Sequence, residues 1–313
     1  MPSIQICSDS FFHNFNILST FLNPTGEIAI VLKDNAYGHG LKEVSILAKQ
    51  CGIRACFVKS MQEALEVRED FSSISILYPR LLKDDLSFGE CLRAENIYFC
   101  VSSLETLKLY PSLSKIELKI NTGMNRNGIT RDSLVEAFEE IVRRKLCLVG
   151  VFTHNGFGDD LGSEFYIQNQ NFLDIKKEVL RLCVQHSLPK PRFHSLNSSG
   201  ALRMKNSQNF SKDSELKDDL YRIGIAFYGY LCQDEVFSSF SLKPIASLWA
   251  EKISSHALKK GMRIGYGGVC ALQKDSIISS YDIGYGDGLF RLREGIELYT
   301  KEGFRILPRS SMD

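Results

Sequence analysis

Short apolar segments rich in β-branched residues alternate with amphipathic stretches along the first three quarters of the chain. The amphipathic stretches carry apolar residues at helical spacing, as Leu41, Val44, Leu47 and Ala48 do. Eight of the apolar segments have the length and composition of buried strands. They are residues 28–33, 55–60, 73–79, 97–102, 115–121, 148–154, 192–198 and 222–229.

An alternation of eight strands with helices predicts an α/β fold, namely a (β/α)8 TIM-like barrel. A doubly wound parallel sheet would produce the same alternation, and the polar stretch 204–220 is expected to be a loop. From about residue 240 the pattern changes to short strand-like pieces with Gly-rich turns, which indicates a C-terminal β domain. We therefore predict a barrel over 1–235 and a C-terminal β-strand domain over 236–313.

Composition and charge point to a small-molecule ligand. The chain has 313 residues, and 38 Lys and Arg against 37 Asp and Glu leave a formal charge of +1. This balance gives no reason to expect nucleic acid or an anionic membrane as the main partner. Because the longest apolar run, residues 146–152, is far shorter than the roughly 20 residues of a membrane helix, we expect a cytoplasmic protein. The nine cysteines include no C-x-x-C pair and are expected to be reduced.

Polar residues follow several of the predicted strands, at the end of a barrel where catalytic groups stand. Lys33 follows the first strand, Lys119 lies in the fifth, His154 ends the sixth and Arg222 opens the eighth. A lysine at the mouth of an apolar barrel can lose its proton through desolvation and form a Schiff base with a carbonyl compound. That chemistry suits aldolases and pyridoxal phosphate enzymes, although a single such lysine could equally extend its ammonium group into water.

Eight sequence motifs, in order, decide between these interpretations. They are VLKDNAYGHG, KINTGMNRNG, FTHNG, HSLNSSGAL and RIGIAFYG in the predicted barrel, and RIGYGG, DIGYGDG and SSMD in the predicted β domain. Together they resemble the alanine racemase family, in which the lysine of K-x-N-A-Y-G-H-G holds the cofactor. Several ordered matches of this length are specific, whereas a lone G-Y-G would mean little.

The resemblance implies pyridoxal 5'-phosphate as cofactor and interconversion of L- and D-alanine for peptidoglycan. It also implies a head-to-tail homodimer whose active sites are shared between subunits. By this resemblance Lys33 binds the cofactor and is one catalytic base, and Tyr266 of the partner subunit is the other. The resemblance implies that the remaining cofactor-binding positions are Tyr37, His154, Asn197, Ser198, Arg222, Gly224 and Ile225. It implies that the substrate-binding positions are Arg126, Met312 and Tyr285. Lys119 matches a position that is carbamylated in some members of the family.

The chemistry fits these residue types. Racemisation removes the α-proton of an amino acid and returns a proton on the opposite face, so two bases must flank one carbon. An arginine cannot accept a proton, so Arg222 would keep the pyridine nitrogen of the cofactor unprotonated. No metal is expected, because His154 with Asp159 and Asp160 lacks the spacing of a metal-binding motif.

The sequence departs from the family pattern at three positions: Asp34, Asn121 and Ile223 stand where a small residue, Asp and Pro are usual. It also ends at Asp313, directly after SSMD, from which we expect an incomplete β domain. The alternative function is therefore a homologue that binds pyridoxal phosphate but is catalytically impaired. A barrel decarboxylase is disfavoured, since those families place an acidic residue at the pyridine nitrogen, where Arg222 stands. Racemases acting on serine or lysine stay open.

Overall fold

The computed structural model describes residues 1–22, 27–81, 86–160, 162–206, 217–231, 240–268, 270–290, 297–307 and 311–312. It forms two compact units, one of Cys7–Ile245 and one that combines Met1–Ile6 with Ala246–Asp313. The chain starts with strand β1 (Ser3–Ile6), which belongs to the second unit. The predicted boundary at residue 235 and most of the predicted loop 204–220 lie outside the described residues.

The larger unit contains eight parallel strands. They are β2 (Glu27–Val31), β3 (Ala55–Val58), β4 (Ser73–Ile76), β5 (Ile97–Val101), β6 (Lys115–Lys119), β7 (Cys147–Phe152), β8 (Arg192–His194) and β9 (Leu220–Ile223). Their hydrogen-bonded order is β8-β7-β6-β5-β4-β3-β2-β9. The two end strands meet through backbone bonds, in which Asp219 N–H donates to Phe193 O (2.7 Å) and Arg222 N–H to Leu196 O (3.0 Å). The sheet is thus a nearly closed barrel, which confirms the predicted fold class.

Helices connect most of the barrel strands. They are α1 (Ser8–Leu22), α2 (Lys33–Tyr37), α3 (Leu41–Gln50), α4 (Met61–Glu66), α5 (Leu86–Arg93), α6 (Leu104–Leu107), α7 (Leu134–Arg144), α8 (Glu164–Gln185) and α9 (Ser198–Asn206). Helix α7 shows why they pack on the barrel: Leu134, Ala137, Phe138 and Ile141 are buried and share one face at helical spacing. None of the helices that the structure describes combines the length and hydrophobicity of a membrane span.

The second unit consists of short antiparallel strand pairs. Strand β1 pairs with β10 (Ala246–Trp249), β11 (Lys252–Leu258) with β14 (Ser276–Tyr281), β12 (Arg263–Ile264) with β13 (Cys270–Ala271), and β15 (Leu298–Tyr299) with β16 (Arg305–Ile306). A C-terminal β-strand region was predicted, but the pairing of β1 with it was not. An isolated four-residue strand carries too little periodicity to reveal a partner more than 200 positions away.

A buried ion pair stabilises the closure between β8 and β9. Lys176 Nζ on α8 lies 2.6 Å from Asp218 Oδ1, and both side chains are buried. Asp218 Oδ2 accepts hydrogen bonds from the backbone N–H and the hydroxyl of Ser195, at 2.6 and 2.7 Å. The carboxylate therefore links helix α8, the end of β8 and the segment that leads into β9.

Replacing Asp218 tests this closure. Asp218→Ala leaves the Lys176 ammonium buried without its carboxylate, which should lower the free energy of unfolding by about 3–5 kcal/mol. Asp174→Ala is the matched control, because Asp174 pairs with Lys177 on the exposed side of α8 (3.1 Å) and its loss should cost less than about 1 kcal/mol. Urea denaturation measures both, and equal losses would contradict the role given to Asp218.

Candidate functional site

Lys33 stands at the carboxyl end of β2, where the chain leaves the barrel. It is half-buried, and its Nζ lies 5.5 Å from the centroid of the Tyr37 ring. A cation at this distance is attracted to the face of the ring. Tyr37 thus helps to hold the Lys33 side chain at the mouth of the barrel.

The segment after Lys33, which forms α2, is a left-handed turn rather than a right-handed helix. Asp34, Asn35, Ala36 and Tyr37 have φ angles of 55°, 55°, 53° and 55°. Each such residue costs roughly 1–2 kcal/mol, because its Cβ approaches a carbonyl oxygen. Consecutive strained residues without glycine persist only where the surrounding structure holds them. Because strained backbone of this kind is typical of functional sites, the turn indicates that a functional site lies here.

Helix α4 and the end of β3 hold this turn. Glu63 Oε1 accepts the Asn35 N–H at 2.9 Å, while its Oε2 accepts the Lys59 N–H at 2.7 Å. Lys59 Nζ forms an ion pair with Asp34. One carboxylate thus joins the loops that follow two neighbouring strands. Glu63 and Lys59 were not predicted from the sequence, because neither lies in a motif that would have revealed the contact.

Tyr37, Ser198 and Gly224 meet at a second corner of the barrel mouth. Ser198 is the first residue of α9, and its Oγ accepts the N–H of Gly224 at 3.1 Å and that of Ala226 at 3.4 Å. A Cβ placed on Gly224 would lie 2.8 Å from Tyr37 Oη, so only glycine allows this approach. Ile225, between the two N–H donors, is 41% exposed.

Helix α9 adds a dipole to this corner. Asn197 Oδ1 accepts the Gly200 N–H at 2.9 Å and thereby caps the helix. Hydroxyl groups, backbone N–H groups and a helix N-terminus together form an arrangement that suits a phosphate group. The residues predicted to bind the cofactor phosphate are therefore brought together.

Arg222 is buried at the end of β9. Its Nη2 donates to Thr153 O (2.7 Å) and to Ser195 O (3.1 Å), and its Nη1 lies 2.5 Å from His194 Nδ1. Burial lowers the pKa of Arg222 to about 10, so the guanidinium stays charged at neutral pH. Three fixed partners hold the plane of this group.

Positive groups surround His154 at the end of β7. Burial, together with the charges of Arg222, Arg126, Lys119 and Lys33, lowers the pKa of His154 to about 3. Burial and the charges of Arg126 and Arg222 lower the pKa of Lys119 to about 8, and Lys119 Nζ donates to Asn127 Oδ1 at 2.5 Å. Arg126 itself is exposed. This end of the barrel is suited to anionic ligands such as phosphates and carboxylates.

The other predicted site residues lie in the second unit. Tyr266 opens a 3₁₀ turn, Tyr266–Gly268, and is 65% exposed. Tyr285 opens the turn Tyr285–Asp287, where its N–H donates to Ser311 O (3.1 Å) and the next N–H donates to Met312 O (2.8 Å). The structure thus brings Tyr285 and Met312 together. Of the SSMD motif, Ser310 and Asp313 lie outside the described residues.

Comparison with known proteins gives a consistent result. The family described as alanine racemase, N-terminal domain, matches residues 6–232. An alanine racemase from a Nitratiruptor species is 38% identical over 313 residues, which is 100% of this chain and 86% of that protein. The alanine racemase of Campylobacter curvus is 37% identical over 313 residues, which is 100% of this chain and 87% of that protein.

Solved structures share the fold over 96% to 100% of the chain. The alanine racemase of Clostridium difficile 630 has a TM-score of 0.82 at 25% identity, covering 100% of this chain and 81% of that one. The alanine racemase of E. faecalis has a TM-score of 0.81 at 27% identity, and the match covers 100% of this chain and 83% of that one. A histidine racemase from Leuconostoc mesenteroides has a TM-score of 0.74 at 26% identity, and the match covers 96% of this chain and 79% of that one.

The low pKa of His154 predicts a dependence of stability on pH. The group protonates near its ordinary value of 6.5 in the unfolded chain but only near 3 in the folded one, so the unfolded state binds more protons between these values. The free energy of unfolding should therefore fall as the pH drops below 6.5. His154→Gln should make that fall shallower in urea titrations, whereas His256→Gln, at an exposed position of β11, should leave it unchanged. An unchanged slope in His154→Gln would show that this histidine is not held neutral.

Proposed function

Because the chain belongs to the alanine racemase family, we propose that it is a pyridoxal 5'-phosphate-dependent isomerase that interconverts L-alanine and D-alanine. Similarity to alanine racemases extends along the whole chain. From the same resemblance we propose that it works in the cytoplasm and supplies D-alanine for peptidoglycan.

One observation carries the proposal. Three features occupy the same end of one barrel. They are a lysine at the end of a barrel strand, a corner formed by Tyr37, Ser198 and Gly224 that suits a phosphate group, and the buried guanidinium of Arg222. These are the three kinds of group that the cofactor requires, namely an amine for its aldehyde, donors for its phosphate and a partner for its ring nitrogen.

The residues present fit the cofactor. Because Gly224 has no Cβ, the Tyr37 hydroxyl can approach the backbone at the corner where the phosphate would bind. We assign the phosphate to the hydroxyl groups of Tyr37 and Ser198 and to the backbone turn at Gly224 and Ile225, with Asn197 capping the helix behind them. When bound, pyridoxal phosphate withdraws electrons from the α-carbon of the amino acid and makes its α-proton acidic.

Arg222 and His154 would control how strongly that withdrawal acts. Arg222 offers only donors, so facing the ring nitrogen it leaves this nitrogen without a proton. His154 beside it is neutral, because burial and then the surrounding positive charges lower its pKa and oppose its protonation. Neither side chain supplies a proton to the ring, which limits side reactions such as transamination.

The substrate would lie where positive charge is concentrated. We assign the amino acid carboxylate to Arg126 and Met312, and the entrance to Tyr285. Lys119, whose pKa is lowered to about 8, has a larger uncharged fraction near neutral pH than an ordinary lysine. It occupies the position that is carbamylated in some members of the family.

Two bases would exchange the α-proton from opposite faces. Lys33 acts from one face, and Tyr266 of the partner subunit acts from the other within a homodimer. The exposure of Tyr266 supports this assignment, since a base shared with another subunit must be accessible on its own chain. Tyrosine has an ordinary pKa near 10, so it acts as a base only where the assembled site stabilises its anion.

Lys33→Ala tests the cofactor assignment. The variant should lose the visible absorbance that lysine-bound pyridoxal phosphate produces, because no amine remains to bind the aldehyde. Lys108→Ala is the control, since Lys108 forms an exposed ion pair with Glu136. Borohydride reduction followed by peptide mass analysis should place the label on Lys33 in the unaltered protein and in the control. A label on another lysine would contradict the assignment.

Tyr266→Phe tests the second base. Racemisation should fall by at least about a hundredfold in both directions, as expected for the loss of a general base. The variant should still bind the cofactor and exchange the α-proton of one enantiomer with deuterium oxide, through Lys33. Tyr299→Phe, at an exposed position of β15, is the control. Racemisation at the normal rate in Tyr266→Phe would refute the two-base arrangement, while cofactor binding without turnover in the unaltered protein would favour a catalytically impaired homologue.

A further inference from the structure

A column of polar side chains runs through the interior of the barrel beneath Arg222. Glu117 of β6 is fully buried, and its Oε1 accepts a hydrogen bond from Arg192 Nε at 2.7 Å. The same oxygen lies 3.2 Å from His194 Nε2, and His194 Nδ1 lies 2.5 Å from Arg222 Nη1. The column therefore connects Arg192, Glu117, His194 and Arg222 through direct contacts.

Residues on the neighbouring strands fix the position of the Glu117 carboxylate. A Cβ on Gly150 of β7 would lie 2.6 Å from Glu117 Oε1, so glycine leaves the room that the carboxylate occupies. Arg192, which compensates the charge, is itself fixed by the hydroxyls of Ser73 (2.7 Å) and Ser75 (2.9 Å). Burial alone would raise the pKa of Glu117, but the charge of Arg192 and the contact with His194 outweigh it and hold the pKa well below its ordinary value. Glu117 is therefore an anion in the barrel core.

These contacts define the proton position on His194. An arginine can only donate, so Arg222 Nη1 requires Nδ1 of His194 to be the acceptor. Burial lowers the pKa of His194 to about 4, so the ring is neutral and carries its one proton on Nε2. Nε2–H then donates to Glu117. Phe152 stacks on the ring at 4.9 Å and Phe57 contacts it edge-on at 5.2 Å, which fixes its plane.

We propose that Glu117 is a positioning residue for the racemase reaction. By accepting the Nε2–H of His194 it maintains the tautomer that accepts Arg222 Nη1, and it thereby fixes the guanidinium that faces the cofactor ring. Without this acceptor, Nε2–H would be buried without a partner, or the proton would move to Nδ1 and oppose Arg222. The hydrogen-bond chain stands on the structure alone, while its effect on the reaction rests on the proposed function.

Two double variants isolate the contact with His194. The glutamine variant combines Glu117→Gln with Arg192→Met, and the methionine variant combines Glu117→Met with Arg192→Met. Both remove the whole ion pair, so neither leaves a buried charge unpaired. Glutamine still offers an oxygen to His194 Nε2–H, whereas methionine, of similar size, offers none. Any difference between the two variants therefore reports the hydrogen bond rather than the charge.

Nitrogen-15 NMR of the histidine rings, without added cofactor, measures the first step. The chain has six histidines, and His194→Gln identifies the resonances of His194. The unaltered protein and the glutamine variant should show the proton on Nε2, while the methionine variant should show a population with the proton on Nδ1. A proton on Nδ1 in the unaltered protein would overturn the proposal, and this result does not depend on whether the methionine variant folds. Identical ring spectra for the two folded variants would overturn it as well.

Steady-state kinetics with saturating pyridoxal phosphate measure the second step. Relative to the glutamine variant, the methionine variant should have a kcat about tenfold lower, corresponding to the loss of one hydrogen bond, with KM changed by less than about twofold. Equal kcat values with different ring spectra would overturn the role in the reaction. If the unaltered protein shows the expected tautomer but no racemisation, the proposed function fails while the link from Glu117 to Arg222 is supported.

Discussion

The common direction of the eight barrel strands is the constraint on which the site depends. Because all strands are parallel, their carboxyl ends lie at one end of the barrel. Lys33, His154, Ser198 and Arg222 are far apart in sequence and come together only through this closure. The final connection, between β8 and β9, depends on backbone hydrogen bonds and on the buried carboxylate of Asp218 rather than on a continuous ladder.

Two structural features with a high energetic cost support this end of the barrel. One is the left-handed turn after Lys33, which Glu63 holds by accepting N–H groups from two loops. The other is the buried charge of Arg222, which is oriented by carbonyl oxygens and by His194. Both features lower the stability of the fold, and both fix the positions of backbone and side-chain atoms, as is usual at functional sites. They hold the backbone after Lys33 and the guanidinium of Arg222 in defined positions at the mouth of the barrel.

The barrel is predictable from the sequence because eight apolar runs alternate with amphipathic segments over most of the chain, and periodicity is a local property that needs no tertiary information. The pairing of β1 with β10 and the left-handed turn over 34–37 are not predictable in this way, since both depend on contacts with distant residues. Glu117 was missed for the same reason. In the run KIELKIN it is simply one polar position of a strand, and its burial depends on the room that Gly150 leaves on the neighbouring strand.

The most direct test of the proposed activity is the formation of D-alanine by the purified chain supplied with pyridoxal phosphate. A racemase must reach the same final mixture, with equal amounts of the two enantiomers, from either L-alanine or D-alanine, because mirror-image molecules have the same free energy. We predict this outcome by chiral chromatography, at a faster rate with alanine than with L-histidine. Cofactor binding without any change in the enantiomer ratio of alanine would contradict the account.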